Sequence, residues 1–183
     1  GKLVEILEKS KYRVEPDCAT YKRCGGCNLR HIKYEETLKM KQNAVQSLVN
    51  KSLNNKIKVE ETLGMEHPYH YRNKAQYPVG LNKDGKPVIG VFANRTHEII
   101  PIDTCFIQNE QTEEIAKYIF KFLVDNNVSF YNEKTQKGLV RHIVTKIGIK
   151  TNEIMCIIVI NGREISNEAK MISELTSKFS NIK

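Results

Sequence analysis

The sequence predicts an α+β fold, a mainly antiparallel sheet with helices preceded by a small cysteine-rich module, and three observations carry that expectation. Residues 57–102 hold short runs rich in β-branched and aromatic residues, separated by turn signals. Two further runs, at about Leu139–Ile149 and Ile154–Ile160, alternate in character and are joined only by Lys150-Thr151-Asn152, a link too short for a parallel crossover. Helical periodicity is confined to stretches that interrupt or flank these runs, the order expected of an α+β domain.

Taken in order, residues 1–12 read as a short strand or tail, and Pro16 with Gly25-Gly26 marks a loop around clustered cysteines. From Tyr34 to about Asn50 apolar residues recur at three- and four-residue steps, so Tyr34, Leu38, Val45 and Leu48 are expected to form a buried stripe, with Lys39, Lys41 and Lys51 pointing away from it. Strands are expected at Ile57–Thr62, Ala75–Gly80, Pro87–Phe92 and Glu98–Ile102. Asn82-Lys83-Asp84-Gly85-Lys86 is the clearest hairpin turn, because Asp-Gly supplies the positive φ such turns need.

A second helix begins after Asn109, a good N-cap, and Glu110, Glu113 and Glu114 lie where the helix dipole favours negative charge. Its buried face is Ile115, Ile119, Phe122 and Leu123, and Asn126-Asn127 ends it. A last helix spans about Asn167–Phe179. Four segments follow: 1–12, a cysteine-rich loop at 13–33, a connecting helix at 34–56, and an α+β domain at 57–183. The stop at Lys183, just after a helix that needs something to pack on, reads as a cut within a longer protein.

Composition narrows the class. At 40% hydrophobic and 27% charged, the chain belongs with folded proteins and not with disordered or membrane ones. No apolar run approaches the roughly 18 residues of a membrane span, and the N-terminus has no signal-peptide core, which predicts a cytoplasmic protein with no membrane partner. The net charge of +8 is unevenly spread: residues 9–58 carry twelve Lys/Arg against four Asp/Glu, and the remainder is balanced. A local basic field attracts polyanions, since phosphate contacts supply most non-specific nucleic-acid affinity; a solvated basic surface is the plainer reading.

Five cysteines, three of them within ten residues, favour metal ligation over a disulfide framework in a chain without a secretory signal. Cys18-x5-Cys24-x2-Cys27 places three thiols in one loop, and Cys105 is available as a fourth ligand. Zinc, an iron–sulfur cluster and metal-free thiols all accept this set, although structural zinc usually shows two close knuckles where this chain has one. Cys156, in the apolar run Met155-Cys156-Ile157-Ile158, reads as a small hydrophobe rather than a nucleophile.

With those residues in view, the sequence resembles the iron–sulfur-containing, S-adenosylmethionine-dependent RNA uracil-5-methyltransferases, particularly the 23S ribosomal RNA group. The resemblance starts at Cys18 and Cys24-Gly25-Gly26-Cys27-Asn28-Leu29-Arg30-His31, followed by Tyr34-Glu35 and Lys41. It continues through Tyr71-Arg72-Asn73-Lys74, then Gly90-Val91-Phe92 with Thr96-His97 and Cys105-Phe106-Ile107-Gln108, and finally Gly138-Leu139-Val140-Arg141-His142, over about residues 13–165.

The resemblance implies a structural [4Fe–4S] cluster on Cys18, Cys24, Cys27 and Cys105, with zinc as the alternative metal. It implies that 1–12 is the tail of an upstream RNA-binding β-barrel, that 57–183 is the family's central domain, and that the 34–51 helix packs on the catalytic domain. In that family a cysteine attacks carbon 6 of uracil, which makes carbon 5 nucleophilic toward the methyl donor, and a general base then removes the carbon-5 proton. No Gly-rich cofactor loop is visible in this chain. The S-adenosylmethionine pocket and the catalytic residues are therefore expected in a C-terminal methyltransferase domain in cis, and this segment alone is expected to be an inactive monomer. The implied partner is ribosomal RNA, ahead of transfer RNA.

Tyr71-Arg72-Asn73-Lys74 joins an aromatic, two cations and an amide, suited to stacking a base and gripping phosphate, or else a solvated strand entry. Arg141 extends that RNA surface or forms a structural ion pair, while Arg23, Arg30 and Lys33 meet RNA or offset thiolate charge. His31 and His97 read as structural. Two other functions fit parts of the pattern: a non-catalytic zinc-binding RNA module, and a ferredoxin-like electron-transfer protein, which has little use for the basic region.

Overall fold

A computed structural model describes residues 3–53 and 56–183. It divides into two compact units, one formed by Gly1–Tyr21 and Gly26–Pro68, the other by Lys22–Gly25 and Tyr69–Lys183.

The N-terminal unit is built on α1 (Tyr34–Leu53), which places Glu35 and Glu36 in its first turn and Lys51 in its last, both favourable to the helix dipole. Its expected buried stripe is corrected by the structure. Thr37 is its one fully buried residue among those described, whereas Val45 and Leu48 are 48% and 64% exposed. The covered face keeps Tyr34 and Leu38 of that stripe but continues through Gln42 and Gln46, because residues 57–65 run along it in extended form.

The expected strand at Ile57–Thr62 is absent for the same reason. Its backbone is satisfied by helix side chains instead of a neighbouring strand. Gln46 Nε2 donates to the Ile57 carbonyl (2.9 Å), Gln46 Oε1 accepts from Val59 N–H (2.8 Å) and Gln42 Nε2 donates to the Val59 carbonyl (3.0 Å). A β-rich composition can thus be met without a sheet, since the backbone needs a partner and not a particular one.

The second unit is an α+β body with a five-stranded antiparallel sheet in the order β3-β2-β1-β4-β5. Its strands are β1 (Lys74–Leu81), β2 (Pro87–Phe92), β3 (Ile99–Pro101), β4 (Val140–Gly148) and β5 (Glu153–Ile160). The β1–β2 hairpin closes where expected: Gly85 takes φ +75°, and Asn82 Oδ1 accepts from the N–H groups of Asp84 and Lys86. Gly138, at φ +103°, opens β4 where any Cβ would lie 2.1 Å from the Phe130 carbonyl oxygen.

One sheet face is covered. α2 (Glu110–Asp125) starts on Asn109, whose Oδ1 accepts from Thr112 N–H at 3.1 Å, and lays Ile115, Ile119, Phe122 and Leu123 on it. Ala75, Tyr77 and Val79 of β1 and Ile143 and Ile147 of β4 complete this core, with Met171 and Leu175 of α3 (Glu168–Lys178) and Phe179 beyond it. Burying each large aliphatic side chain here contributes about 1.5–3 kcal/mol before entropy is counted. Strand alternation sends Lys74, Gln76, Pro78 and Gly80 of β1, His142 and Lys146 of β4, and Phe92 of β2 to the opposite face. Neither α2 nor α3 contributes its packed core residues there.

Among the described residues, no helix is long and apolar enough to cross a membrane.

Candidate functional site

Cys105 lies in the loop between β3 and α2, and α2 grips this loop with two side chains one turn apart. Glu113 Oε2 accepts from the Cys105 N–H at 2.9 Å, and Lys117 donates to the Asp103 carbonyl while pairing with Glu113 Oε1 at 2.7 Å. Glu113 is 5% exposed, so its carboxylate is committed to this loop. Burial pushes the Cys105 thiol up, backbone hydrogen bonds from Ile107 and Gln108 pull it down, and the charges of Glu113 and Cys24 add to the rise. Cys24 reaches the same unit through an antiparallel bridge to Ala93, reinforced by Asn94 N–H donating to the Arg23 carbonyl at 2.9 Å.

Cys18 and Cys27 belong to the N-terminal unit, where the Cys18 thiol sits 3.3 Å from Thr20 Oγ1. Among the described residues no three Cys, His, Asp or Glu side chains gather into a metal-binding group. All four cysteines of the set are part-buried thiols.

Of the histidines, His31 is structural: its Nδ1 lies 2.5 Å from the Tyr21 hydroxyl. His70 Nδ1 is 2.7 Å from the Gln108 carbonyl, so it ties the segment before β1 to the loop before α2. Cys156 sits on the covered face of β5 against the core, and burial pushes its thiol up to about 11. A thiol so placed is protonated at neutral pH.

The sequence-predicted cations fall into two sets. Arg72, Asn73 and Lys74 are exposed at the entry to β1, and Lys74 pairs directly across from Lys146. Like charges opposite one another on antiparallel strands repel, so this pair is poised to take an anion. The three arginines of the other set have carboxylate partners. Arg23 pairs with Glu98 at 3.0 Å, Arg141 with Glu133 at 2.9 Å, and Arg30 holds Asp17 through two bonds that keep its carboxyl below 3.8. Lys33 is exposed at the start of α1, where its carbonyl accepts from Glu36 and Thr37.

A groove of about 860 Å³ lies at one end of that opposite sheet face, wholly within the second unit; the face is itself partly closed, with Pro78, Val88 and Val144 buried on it. Its floor comes from residues the strand register brings together, Pro78 opposite His142 and Phe92 opposite Ile99. Phe92 contacts the rings of His97 (5.4 Å) and His142 (6.0 Å), and the Arg141 guanidinium lies over Tyr131 at 4.5 Å. Burial, helped by the Arg141 charge, pushes His142 below its ordinary value and keeps the ring neutral. Sequence reading singled out Arg141 but not this groove, since only strand pairing joins residues 78, 92, 97 and 142.

No protein-family model matches the chain. Its whole length aligns at 41% identity with an uncharacterized RNA methyltransferase of Clostridium acetobutylicum, and at 39% with proteins of the same description from Staphylococcus epidermidis and Staphylococcus aureus. The chain spans about 40% of the length of each. Among solved structures, it superposes with a TM-score of 0.63 and 21% identity on a Pyrococcus abyssi tRNA (uracil-54, C5)-methyltransferase in complex with S-adenosyl-L-homocysteine. That match covers 91% of this chain and 37% of the other, and at this identity it speaks to the fold.

Proposed function

Because the chain aligns along its full length with RNA methyltransferases, we propose that it belongs to their family and is the RNA-recognition segment of an S-adenosylmethionine-dependent uracil-5-methyltransferase acting on 23S ribosomal RNA. The alignment carries this reading: all of the chain corresponds to less than half of each relative, which leaves ample length there for a catalytic domain. The fold likeness to part of a uracil-5-methyltransferase supports it.

Two features of the residues agree. Cys156, which lies outside the set of four, is partly buried against the core with its thiol raised to about 11. Methyl transfer therefore falls to residues outside this segment, and the segment's own work is to bind RNA. Arg72, Asn73 and Lys74 form the primary contact, with Lys146 beside Lys74, and the basic region 9–58 with Arg23, Arg30 and Lys33 adds a non-specific phosphate field. Arg141 meets RNA while staying paired with Glu133.

Cys18, Cys24, Cys27 and Cys105 are assigned to a [4Fe–4S] cluster on their order and chemistry. When bound, the cluster supplies structure, since methyl transfer from S-adenosylmethionine consumes no electrons. A cytoplasmic location and a monomer complete the reading.

The test has three parts. The 183-residue protein should bind ribosomal RNA fragments in filter assays with affinity that falls steeply with salt, more tightly than transfer RNA. It should incorporate no methyl group from labelled S-adenosylmethionine; incorporation would overturn the assignment of catalysis elsewhere. Anaerobically purified protein should contain iron and sulfide, and a colourless protein with one zinc would overturn the cluster.

A further inference from the structure

We propose that the groove on the sheet face opposite α2 holds a single unpaired base of the RNA, stacked against the Phe92–His97 surface with Arg141 at its edge. This rests on the reading of the chain as an RNA-binding segment and goes beyond it by giving one nucleotide a pocket.

Four observations point there. The groove's volume, about 860 Å³, exceeds what a single base needs and leaves room for its ribose. Its walls carry π surfaces: the Phe92 and His97 rings, 5.4 Å apart and tilted by 37°, and the Arg141 guanidinium laid on Tyr131 at 4.5 Å. Unstacked bases seek such surfaces, and stacking tolerates any base because every base has a π face. Arg141 is held in place from two sides, by the Tyr131 ring and by Glu133 at 2.9 Å, so its planar fork is preorganised before a ligand arrives.

The charge balance separates base from phosphate. Four cations line the groove, Arg23, Lys83, Lys134 and Arg141, but Asp84, Glu98 and Glu133 line it as well. Arg23 is paired with Glu98 and Arg141 with Glu133, so the lining is close to neutral and offers a phosphate far less than an unpaired cation cluster would, while a neutral base needs no net charge. The phosphate has a place elsewhere on the same face: Lys74 and Lys146, opposite one another, lie four residues along β1 from Pro78 on the groove floor, about 13 Å away. A backbone held at the lysine pair could then deliver a base into the groove further along the strand.

The experiment compares a short single-stranded RNA with the same oligonucleotide carrying one abasic position, scanned along its length, by fluorescence anisotropy on the whole protein. One abasic position should weaken binding about tenfold, within the range for losing one base–aromatic stack. That factor should persist from low to moderate salt while overall affinity drops. Phe92→Leu and the exposed His97→Ala should bind intact RNA about tenfold more weakly and the matching abasic RNA no more weakly than wild type does. His97→Ala and the abasic scan on wild type keep the test valid if Phe92→Leu folds poorly.

Undiminished binding at every abasic position, with His97→Ala equal to wild type, would overturn the pocket and leave RNA binding standing; it would assign the groove to another protein segment. No RNA binding by the wild-type protein would overturn both readings.

Discussion

The grip of α2 on the Cys105 loop can be tested by removing Glu113. Glu113→Ala deletes a charged acceptor 2.9 Å from the Cys105 N–H and leaves that part-buried amide without its partner. Hydrogen bonds to charged groups contribute about 1.5–3 kcal/mol. The pair with Lys117, whose side chain is 45% exposed, adds only a few tenths. The expected loss is about 2–3 kcal/mol, which in a chain of this size lowers Tm by roughly 4–10 °C. Glu113→Gln keeps an acceptor oxygen for the amide and should lose about 1 kcal/mol, the charge-assisted part. Urea and thermal unfolding followed by circular dichroism measure both. Loosening the loop should also expose the Cys105 thiol, so labelling by a disulfide reagent should be faster in the alanine variant. Two results would refute the reasoning: a change below about 0.5 kcal/mol for Glu113→Ala, or equal losses for Ala and Gln, which would put the energy in the Lys117 pair and not in the amide.

Other expectations follow from particular side chains. The Tyr77 hydroxyl is buried with no hydrogen-bond partner, and burial pushes its pKa up, so Tyr77→Phe should be neutral or stabilising by up to about 1 kcal/mol in urea melts. Gln46→Ala removes two bonds to residues 57–59, and hydrogen exchange should accelerate there while β1 to β5 keep their protection. Because His142 is held neutral below the ordinary histidine value of 6.5, the unfolded chain takes up its proton first on acidification. Its contribution is therefore full above pH 6.5 and drains as pH falls, and His142→Asn should flatten the stability profile below that point. Cys156, raised to about 11, should be the slowest cysteine to alkylate at pH 8; fast labelling there would contradict its place in the core.

Local chemistry made much of the fold legible in advance. Asn109 caps α2, Asp84-Gly85 turns the first hairpin, and Pro87–Phe92 is a strand, because each depends on neighbours within four residues. Where the outcome depended on distant partners, the reading slipped. Residues 57–62 have strand composition but spend their hydrogen bonds on Gln42 and Gln46, and Val45 and Leu48 have helical spacing but stay exposed since the covering segment runs along another face of α1.

The same division holds for the site. Sequence by itself determined the cysteine set, the basic region around it, the exposed Tyr71-Arg72-Asn73-Lys74 block and the resemblance to RNA uracil-5-methyltransferases, because residue type and spacing are enough to state them. The tertiary structure alone decided that Glu113 and Lys117 clasp the Cys105 loop, that Lys74 faces Lys146, and that Phe92, His97, Arg141 and His142 share one groove. Those pairings span strands up to 72 positions apart in register, and antiparallel register is set by how the whole sheet packs on α2, which no local window of sequence contains.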